Sequence, residues 1–252
     1  MDLSNSSAIV TGGASGLGAA TAALLAEKGV RVVALDLQAG TDKAPEVEGV
    51  TYVAADVTDE EQVRAAVAQA AEAAPLRLAV NCAGIATASR ILSKKGTHDL
   101  GLFARVVQVN LIGTFTVLTL AAERMAQQEP VDADGQRGLI INTASVAAFE
   151  GQIGQAAYAA SKGGVHSLTI SAARDLAQSG IRVNTIAPGI VETPMMAGIT
   201  EEYRERLAQD VPFPQRLAQP AEYAQLVETM VAHDYLNGTT IRMDGALRMA
   251  PR

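Results

Sequence analysis

The chain has 252 residues and a formal net charge of −7, with 48% hydrophobic and 4% aromatic residues. This length fits one α/β domain spanning 1–252, and the negative charge argues against nucleic acid as a main partner. A single cysteine excludes an intramolecular disulfide. No apolar run predicts a membrane span, and positions 1–6 carry no leader pattern. These features predict a cytoplasmic protein with no membrane partner.

The first element in the chain is a predicted buried strand at 7–10, followed by a glycine-rich turn and an Ala/Leu-rich helix ending near 28–29. The spacing Gly12-x-x-x-Gly16-x-Gly18 differs from the usual dinucleotide motif, and a flexible surface turn is the alternative. A strand, a glycine turn and a helix N-terminus nevertheless form an anion site for a pyrophosphate. The candidate cofactor residues here are Gly12, Ser15, Gly16, Leu17 and Gly18.

The second predicted strand, 30–36, ends in Asp36. A carboxylate at this point can accept hydrogen bonds from ribose hydroxyls and would repel a 2′-phosphate. No Arg or Lys stands at 13–17 or 37–42 to receive such a phosphate, so the sequence predicts NAD rather than NADP. A solvated strand-end carboxylate is the alternative. Asp56 and Val57 follow a third strand at 51–55 and are predicted to contact the adenine.

The remaining elements continue the alternation of strands and helices. Helices are predicted at 59–74, at 103–128 and from Tyr158 to about 178, and strands at 76–81, 139–144, 182–187 and 239–243. This order predicts a Rossmann-type α/β fold, with a doubly wound parallel sheet of about seven strands between two helical layers. Ligands bind at the carboxyl ends of such strands. Further candidate cofactor residues therefore follow strand ends: Cys82, Ala83, Gly84, Pro188, Gly189, Ile190 and Thr193.

Tyr158 and Lys162 stand four residues apart, and Ser145 lies upstream of them. On a helix this spacing places both side chains on one face, so the ammonium is expected to lower the pKa of the phenol. A tuned tyrosine can act as a general acid or base, and a serine hydroxyl can hold the reacting oxygen. The pair alone is a weak motif, and Ser145 has the alternative of capping a helix.

With these residues assembled, the chain resembles the short-chain dehydrogenase/reductase family over its full length. The matching marks are the glycine turn, Asn81-x-Ala83-Gly84, Asn110, Ser145, Tyr158-x-x-x-Lys162 and Pro188-Gly189; Cys82 departs from the asparagine usual there. The resemblance implies that Tyr158 moves a proton while hydride passes to or from NAD. It also implies that Lys162 holds the nicotinamide ribose, Ser145 orients the substrate and Asn110 supports a water relay.

The resemblance narrows to a 3-hydroxyacyl-CoA dehydrogenase subgroup through the segments 135–138, 142–152, 211–217 and 241–249. It implies a role in fatty acid metabolism, interconverting 3-hydroxyacyl-CoA and 3-ketoacyl-CoA, and a homotetramer. The helices containing Phe103 and Tyr158 are apolar on more than one face, which agrees with contact between subunits. The alternatives are a hydroxysteroid or secondary-alcohol dehydrogenase with the same chemistry and, in another class, an NAD-binding scaffold.

Substrate contacts are less specified by the sequence. Gln155, three residues before Tyr158, is a candidate contact, with Ser145 and Tyr158 themselves. Lys94 and Lys95 are expected to meet CoA phosphates or to lie in a solvated loop. The segment 190–212, which contains two methionines, is expected to close over the substrate, with ordinary core packing as the alternative. The three histidines lack metal-ligand spacing, so no metal is predicted.

Overall fold

The computed structural model describes residues 1–94, 96–196 and 200–251. Its main sheet is parallel and has the strand order β3-β2-β1-β4-β7-β8-β9. The strands are β1 Ser7–Thr11, β2 Arg31–Asp36, β3 Val50–Ala54, β4 Leu76–Asn81, β7 Gly138–Thr143, β8 Ile181–Pro188 and β9 Thr240–Met243, with a separate hairpin of β5 Leu92–Ser93 and β6 Gly96–Thr97. The predicted fold class and the seven predicted strands are confirmed.

Eight helices connect these strands within the described residues. They are α1 Gly16–Glu27, α2 Gln38–Thr41, α3 Glu60–Ala73, α4 Leu100–Val107, α5 Gly113–Ala126, α6 Ala156–Asp175, α7 Glu201–Gln209 and α8 Pro220–Ala232. One apolar core joins the sheet to α3, α5 and α6, and the other joins it to α1 and α8. The three layers follow from this division.

Burial on both faces explains why the central strands are rich in apolar residues. Every residue of β1, β4, β7 and β8 is buried, as expected for parallel strands covered by helices on both sides. Side chains alternate between the two cores along each strand. Polar residues inside β8, such as Arg182 and Asn184, are hydrogen-bonded within the protein, whereas the carboxyl ends of the parallel strands lie together and are the usual place for a ligand. The candidate site therefore collects at one edge of the sheet.

The structure differs from the prediction in the long helix expected at 103–128. That region is α4, one π-helical turn at Gln108–Ile112, and α5. The Gly113 N–H donates to the Gln108 carbonyl, the wider spacing of a π turn. Helix α8 and the β5–β6 hairpin were not predicted, because α8 follows an irregular segment and each hairpin strand has two residues.

One segment, Leu100–Ala126, is long and apolar enough by composition to cross a membrane, contrary to the expectation that no such run exists. Val117, Ala121 and Met125 on its inner face are fully buried and pack into the core shared with α3 and the sheet. A helix that covers a central sheet must be apolar on the face that meets the sheet. The apolar inner face of the segment is therefore accounted for by its place in the fold.

Candidate active site

The glycine turn after β1 forms one wall of the main cleft. Gly12 and Gly16 have φ of +63° and +52°, a region that favours glycine. A Cβ on Gly18 would lie 2.2 Å from the Gly12 carbonyl oxygen, so α1 can approach the turn only with glycine there. Ser15 stands at the N-cap of α1 without a side-chain capping bond. The open N–H groups of the turn and helix form a cradle for an anion.

Asp36 lies at the carboxyl end of β2, beside this turn. Its Oδ2 accepts from the Ala14 N–H at 3.1 Å, and its Oδ1 accepts from the Leu37 N–H at 2.8 Å. The carboxylate is thus held at the edge of the cleft by two backbone donors. This is the position that a ribose-binding carboxylate occupies in a dinucleotide fold.

Asp56 and Val57 follow β3 and continue the same wall. Asp56 Oδ1 accepts from the N–H and the hydroxyl of Thr58, at 2.9 and 2.7 Å. The bond from the Thr58 N–H is the main reason that the pKa of Asp56 lies below its ordinary value. Arg105 on α4 places Nη2 3.8 Å from Asp56 Oδ2, so the carboxylate is ionised and faces a cation across the cleft.

All the candidate cofactor residues line one cleft of about 390 Å³. They are Gly12, Ser15, Gly16, Leu17, Gly18, Asp36, Asp56, Val57, Cys82, Ala83, Gly84, Tyr158, Lys162, Pro188, Gly189, Ile190 and Thr193, together with Ser145. Residues from six strand ends of the sheet meet here. Thr193 faces the glycine turn, since a Cβ on Gly16 would lie 3.4 Å from the Thr193 Cβ. The cleft thus runs from Asp36 to the catalytic candidates.

Ser145 lies two residues after the end of β7 and caps a short 3-10 helix, Val146–Ala148. Its Oγ accepts from the Ala147 N–H at 3.1 Å, so the alternative role of a capping serine is present. The two roles coexist, because the hydroxyl hydrogen remains free to point into the cleft. The Ser145 hydroxyl also acts to lower the pKa of the Tyr158 phenol.

Tyr158 and Lys162 project from α6 into the cleft wall. Lys162 is 4% exposed, and its Nζ donates to the Thr143 carbonyl at 2.7 Å. The same Nζ lies 5.9 Å from the centroid of the Tyr158 ring. Burial lowers the pKa of Lys162 to about 8. An ammonium so placed titrates close to neutral pH.

The expected lowering of the Tyr158 pKa by Lys162 is not what the structure shows. Burial raises the pKa of Tyr158 above its ordinary value, and the hydrogen bond with Ser145 opposes this only in part. Desolvation disfavours phenolate, and the Lys162 ammonium is directed at the Thr143 carbonyl. The prediction from spacing was wrong because it considered the neighbouring charge and not the burial of the phenol.

Asn110 lies in the π turn between α4 and α5 and is fully buried. Its Oδ1 accepts from the Ile85 N–H at 2.8 Å, and its Nδ2 donates to the Ile85 carbonyl and to Ser161 Oγ. A Cβ on Gly84 would lie 3.2 Å from Asn110 Oδ1 and 3.6 Å from Lys162 Nζ. Asn110 therefore stands just behind the cleft near Lys162, although it is not part of the cleft wall. Its water relay stays a prediction.

Only some of the substrate candidates lie at the cleft. Gln155 does not line the main cleft; its Oε1 accepts from the Gln152 N–H at 3.0 Å. Lys94 is exposed at the turn of the β5–β6 hairpin, and Lys95 lies outside the described residues. Part of the 190–212 segment, Thr193 and the short 3-10 helix Pro194–Met196, lines the cleft; positions 197–199 lie outside the described residues.

Two polar residues of the cleft wall, Arg105 and Thr143, were missed by sequence reasoning. Arg105 sits in a helix with no motif around it, and its relation to Asp56 depends on the packing of α4. Thr143 is the last residue of β7, directly before the alanine that precedes Ser145. Its position after a buried apolar strand was a usable signal, because strand ends supply the site.

The profile of the short chain dehydrogenase family matches residues 6–204. A Homo sapiens protein named 3-hydroxyacyl-CoA dehydrogenase type-2 is 53% identical over 250 residues, covering 97% of this chain and 95% of that protein. The Drosophila melanogaster protein of the same name is 51% identical over 255 residues, covering 99% and 100%. The crystal structure of 3-hydroxyacyl-CoA dehydrogenase type-2 from Mycobacterium avium superposes with a TM-score of 0.92 at 43% identity, covering 98% of each chain.

The chain belongs to the short-chain dehydrogenase family, and it is an oxidoreductase. The resemblance found in the motifs is thus confirmed over nearly the full length. The family uses a nicotinamide cofactor, and the cleft has the cradle that such a cofactor requires. The three relatives are all named 3-hydroxyacyl-CoA dehydrogenase type-2, a name that includes their substrate.

Proposed function

We propose that this protein is an NAD-dependent dehydrogenase that interconverts 3-hydroxyacyl-CoA and 3-ketoacyl-CoA in fatty acid metabolism, within one domain. The observation that carries the proposal is a single cleft with Asp36 at one end and Tyr158 and Lys162 at the other. The names of the relatives that are more than half identical support the acyl-CoA substrate. The same cleft would serve another secondary alcohol, and the experiment below distinguishes these substrates.

The choice of NAD is supported by the charges around Asp36. A 2′-phosphate would meet this carboxylate, which two backbone N–H groups already hold in place. The adjacent segments 13–17 and 37–42 supply no Arg or Lys. Arg105 is engaged at Asp56. The unpaired negative charge therefore favours ribose hydroxyls over a phosphate.

The proposed chemistry assigns one task to each catalytic residue. Bound nicotinamide would supply hydride transfer. Tyr158 would exchange a proton with the substrate oxygen, Ser145 would hold that oxygen, and Lys162 would hold the ribose and stabilise phenolate when it forms. Because burial raises the pKa of Tyr158, the phenol carries its proton at neutral pH. It is thus ready to donate to a ketone, and ketone reduction is the direction to test first.

The cleft has an apolar wall in the segment after β8, which we assign as the acyl subsite. Ile190, Met195 and Met196 line it, and Met195 is 59% exposed. Methionine side chains adapt to flexible apolar chains of different shape. Lys94 is exposed at the turn of the β5–β6 hairpin, and its contact with a CoA phosphate stays part of the proposal.

The proposal includes a homotetramer in the cytoplasm. Ile112 and Phe115 are 45% and 50% exposed on the outer side of the helix that covers the sheet. Apolar side chains at such a place suit contact with another subunit. Sedimentation that gives a monomer at micromolar concentration would contradict the tetramer, and fractionation of cells would test the location.

The decisive experiment measures oxidation of NADH and NADPH with acetoacetyl-CoA. We expect turnover with NADH and little with NADPH, and a loss of about 100-fold or more in Tyr158→Phe, which keeps the ring and removes the proton donor. NADH binding, followed by fluorescence, should stay normal in that variant. Turnover with NADPH alone would overturn the role of Asp36. No turnover in protein that binds NADH would move the search to steroids and other secondary alcohols, and full activity in Tyr158→Phe would refute the tyrosine mechanism.

A further inference from the structure

A cluster of two hydroxyls and a thiol lies under the floor of the cleft. Tyr223 on α8 is fully buried, and its OH lies 2.7 Å from Thr143 Oγ1 on β7. Cys82, after β4, places its Sγ 3.6 Å from the same OH and 3.8 Å from Thr143 Oγ1. Burial raises the pKa of Tyr223 well above its ordinary value, so the phenol is neutral and keeps its donor hydrogen.

Thr143 links this cluster to the catalytic lysine. Its Oγ1 meets Tyr223, and its carbonyl accepts from Lys162 Nζ at 2.7 Å. The ladder between β4 and β7 ends at the pair Asn81 and Asn142, one residue before Thr143. On the side that faces β4, Thr143 is therefore held by its side-chain contacts and not by strand pairing. Together with the pairing to β8, where the Ala144 N–H donates to the Ile186 carbonyl, these contacts fix the residue whose carbonyl holds the ammonium.

We propose that Tyr223 is a positioning residue for hydride transfer: its hydroxyl orients Thr143, and Thr143 in turn holds Lys162 at its place in the cleft. A phenylalanine would fill the same apolar space on α8, so packing alone does not need the hydroxyl. Sulfur is a weak hydrogen-bond partner, and Cys82 cannot replace the phenol. This inference rests on the role of Lys162 in the proposed function.

The test is Tyr223→Phe, compared with a matched variant that loses a buried hydroxyl pair elsewhere. Thr169 and Thr185 form such a pair, with both residues almost fully buried and outside the cleft wall, so Thr169→Val is the control. In Tyr223→Phe we expect the dissociation constant of NADH to rise about threefold or more and kcat to fall about tenfold. The pH at which Lys162 titrates in the rate profile should also move. Thr169→Val should show none of these changes at a similar melting temperature.

Thr143 tests the same link from its other end. Thr143→Ser keeps the Oγ and should retain more NADH affinity than Thr143→Val, whereas Thr143→Val should reproduce Tyr223→Phe, and the double variant should be no worse than either. Unchanged NADH affinity and pH profile in both Tyr223→Phe and Thr143→Val would overturn the proposal, as would equal losses in Thr169→Val. Because NADH binding is measured without substrate, failure with acetoacetyl-CoA would count against the proposed substrate and not against Tyr223.

Discussion

Two buried cations of this protein are held in opposite ways. Lys162 on α6 is 4% exposed and Arg182 on β8 is 7% exposed, and burial lowers the pKa of both. Arg182 donates to the Gln136 side chain and to the carbonyls of Met230 and Leu236 at 2.8 to 3.1 Å. Lys162, in the part of the chain that the structure describes, has one hydrogen bond, to the Thr143 carbonyl.

The difference separates a structural charge from a functional one. The carbonyls that Arg182 meets lie at and beyond the end of α8, where a helix leaves its last acceptors without partners. Asp234 adds a carboxylate at 3.5 Å. Arg182 thus closes a helix end with its donors nearly saturated. Lys162 has three N–H donors and uses one in the hydrogen bond to the Thr143 carbonyl. The other two remain for a ligand in the cleft.

Lys162→Met tests this comparison most directly, and the largest expected effect is on its activity. Methionine has similar length and removes the charge, so the variant should lose about 100-fold or more in kcat/KM. Its stability should equal or exceed that of the unaltered protein, because an incompletely compensated buried charge is removed. Steady-state rates and urea unfolding measure the two effects. A large loss of stability in Lys162→Met would show that the lysine is structural like Arg182.

The reverse result is expected for Arg182→Met. The variant leaves the carbonyls at the end of α8 and the Gln136 side chain without their donor, and we expect the free energy of unfolding to fall by about 3 to 5 kcal/mol. Turnover per folded molecule should stay within about twofold at low temperature. Lys28→Met is the matched control, since Lys28 pairs with Glu228 on α8 while both side chains are about half exposed, and it should unfold like the unaltered protein. A stable Arg182→Met protein with impaired turnover would contradict the division of roles.

The sequence predicts the cleft better than it predicts the surroundings of Arg182, and the reason is physical. The cleft residues follow strand ends, and parallel strands bring their carboxyl ends to one edge, so Gly12, Asp36 and Ser145 could be placed together from local patterns. The partners of Arg182 lie 46 to 54 residues away along the chain, and Tyr223 lies 80 residues from Thr143. No local pattern encodes such contacts.

Burial was the second quantity that local patterns did not supply. The spacing of Tyr158 and Lys162 correctly places both on α6, but the pKa of Tyr158 is set by the surrounding walls. The π turn at Asn110 was likewise expected as continuous helix, because the apolar pattern runs through it without Gly or Pro before Gly113. Elements and strand ends follow from periodicity, whereas charges and helix irregularities depend on tertiary packing.

The smallest expected effect is a change of stability with pH, and it sharpens the comparison between Lys162 and Arg182. The pKa of Lys162 falls from 10.5 to about 8 in the folded protein. Between these values the unfolded chain binds a proton that the folded chain does not, so stability from this group rises with pH across the window. The full change is on the order of 3 kcal/mol, and below pH 8 the folded protein carries the whole cost of burying the ammonium.

The measurement is urea unfolding of the unaltered protein and of Lys162→Met, without added nicotinamide cofactor, from pH 7 to pH 10. Lys162→Met should be the more stable protein at pH 7, and its advantage should shrink as the pH rises, because the lysine sheds its proton in the folded state. Lys28→Met should not show this trend, since Glu228 raises rather than lowers the pKa of Lys28. Two curves that stay parallel from pH 7 to pH 10 would mean that Lys162 keeps its ordinary pKa. The ammonium would then be compensated as Arg182 is, and the contrast between the two buried cations would fail.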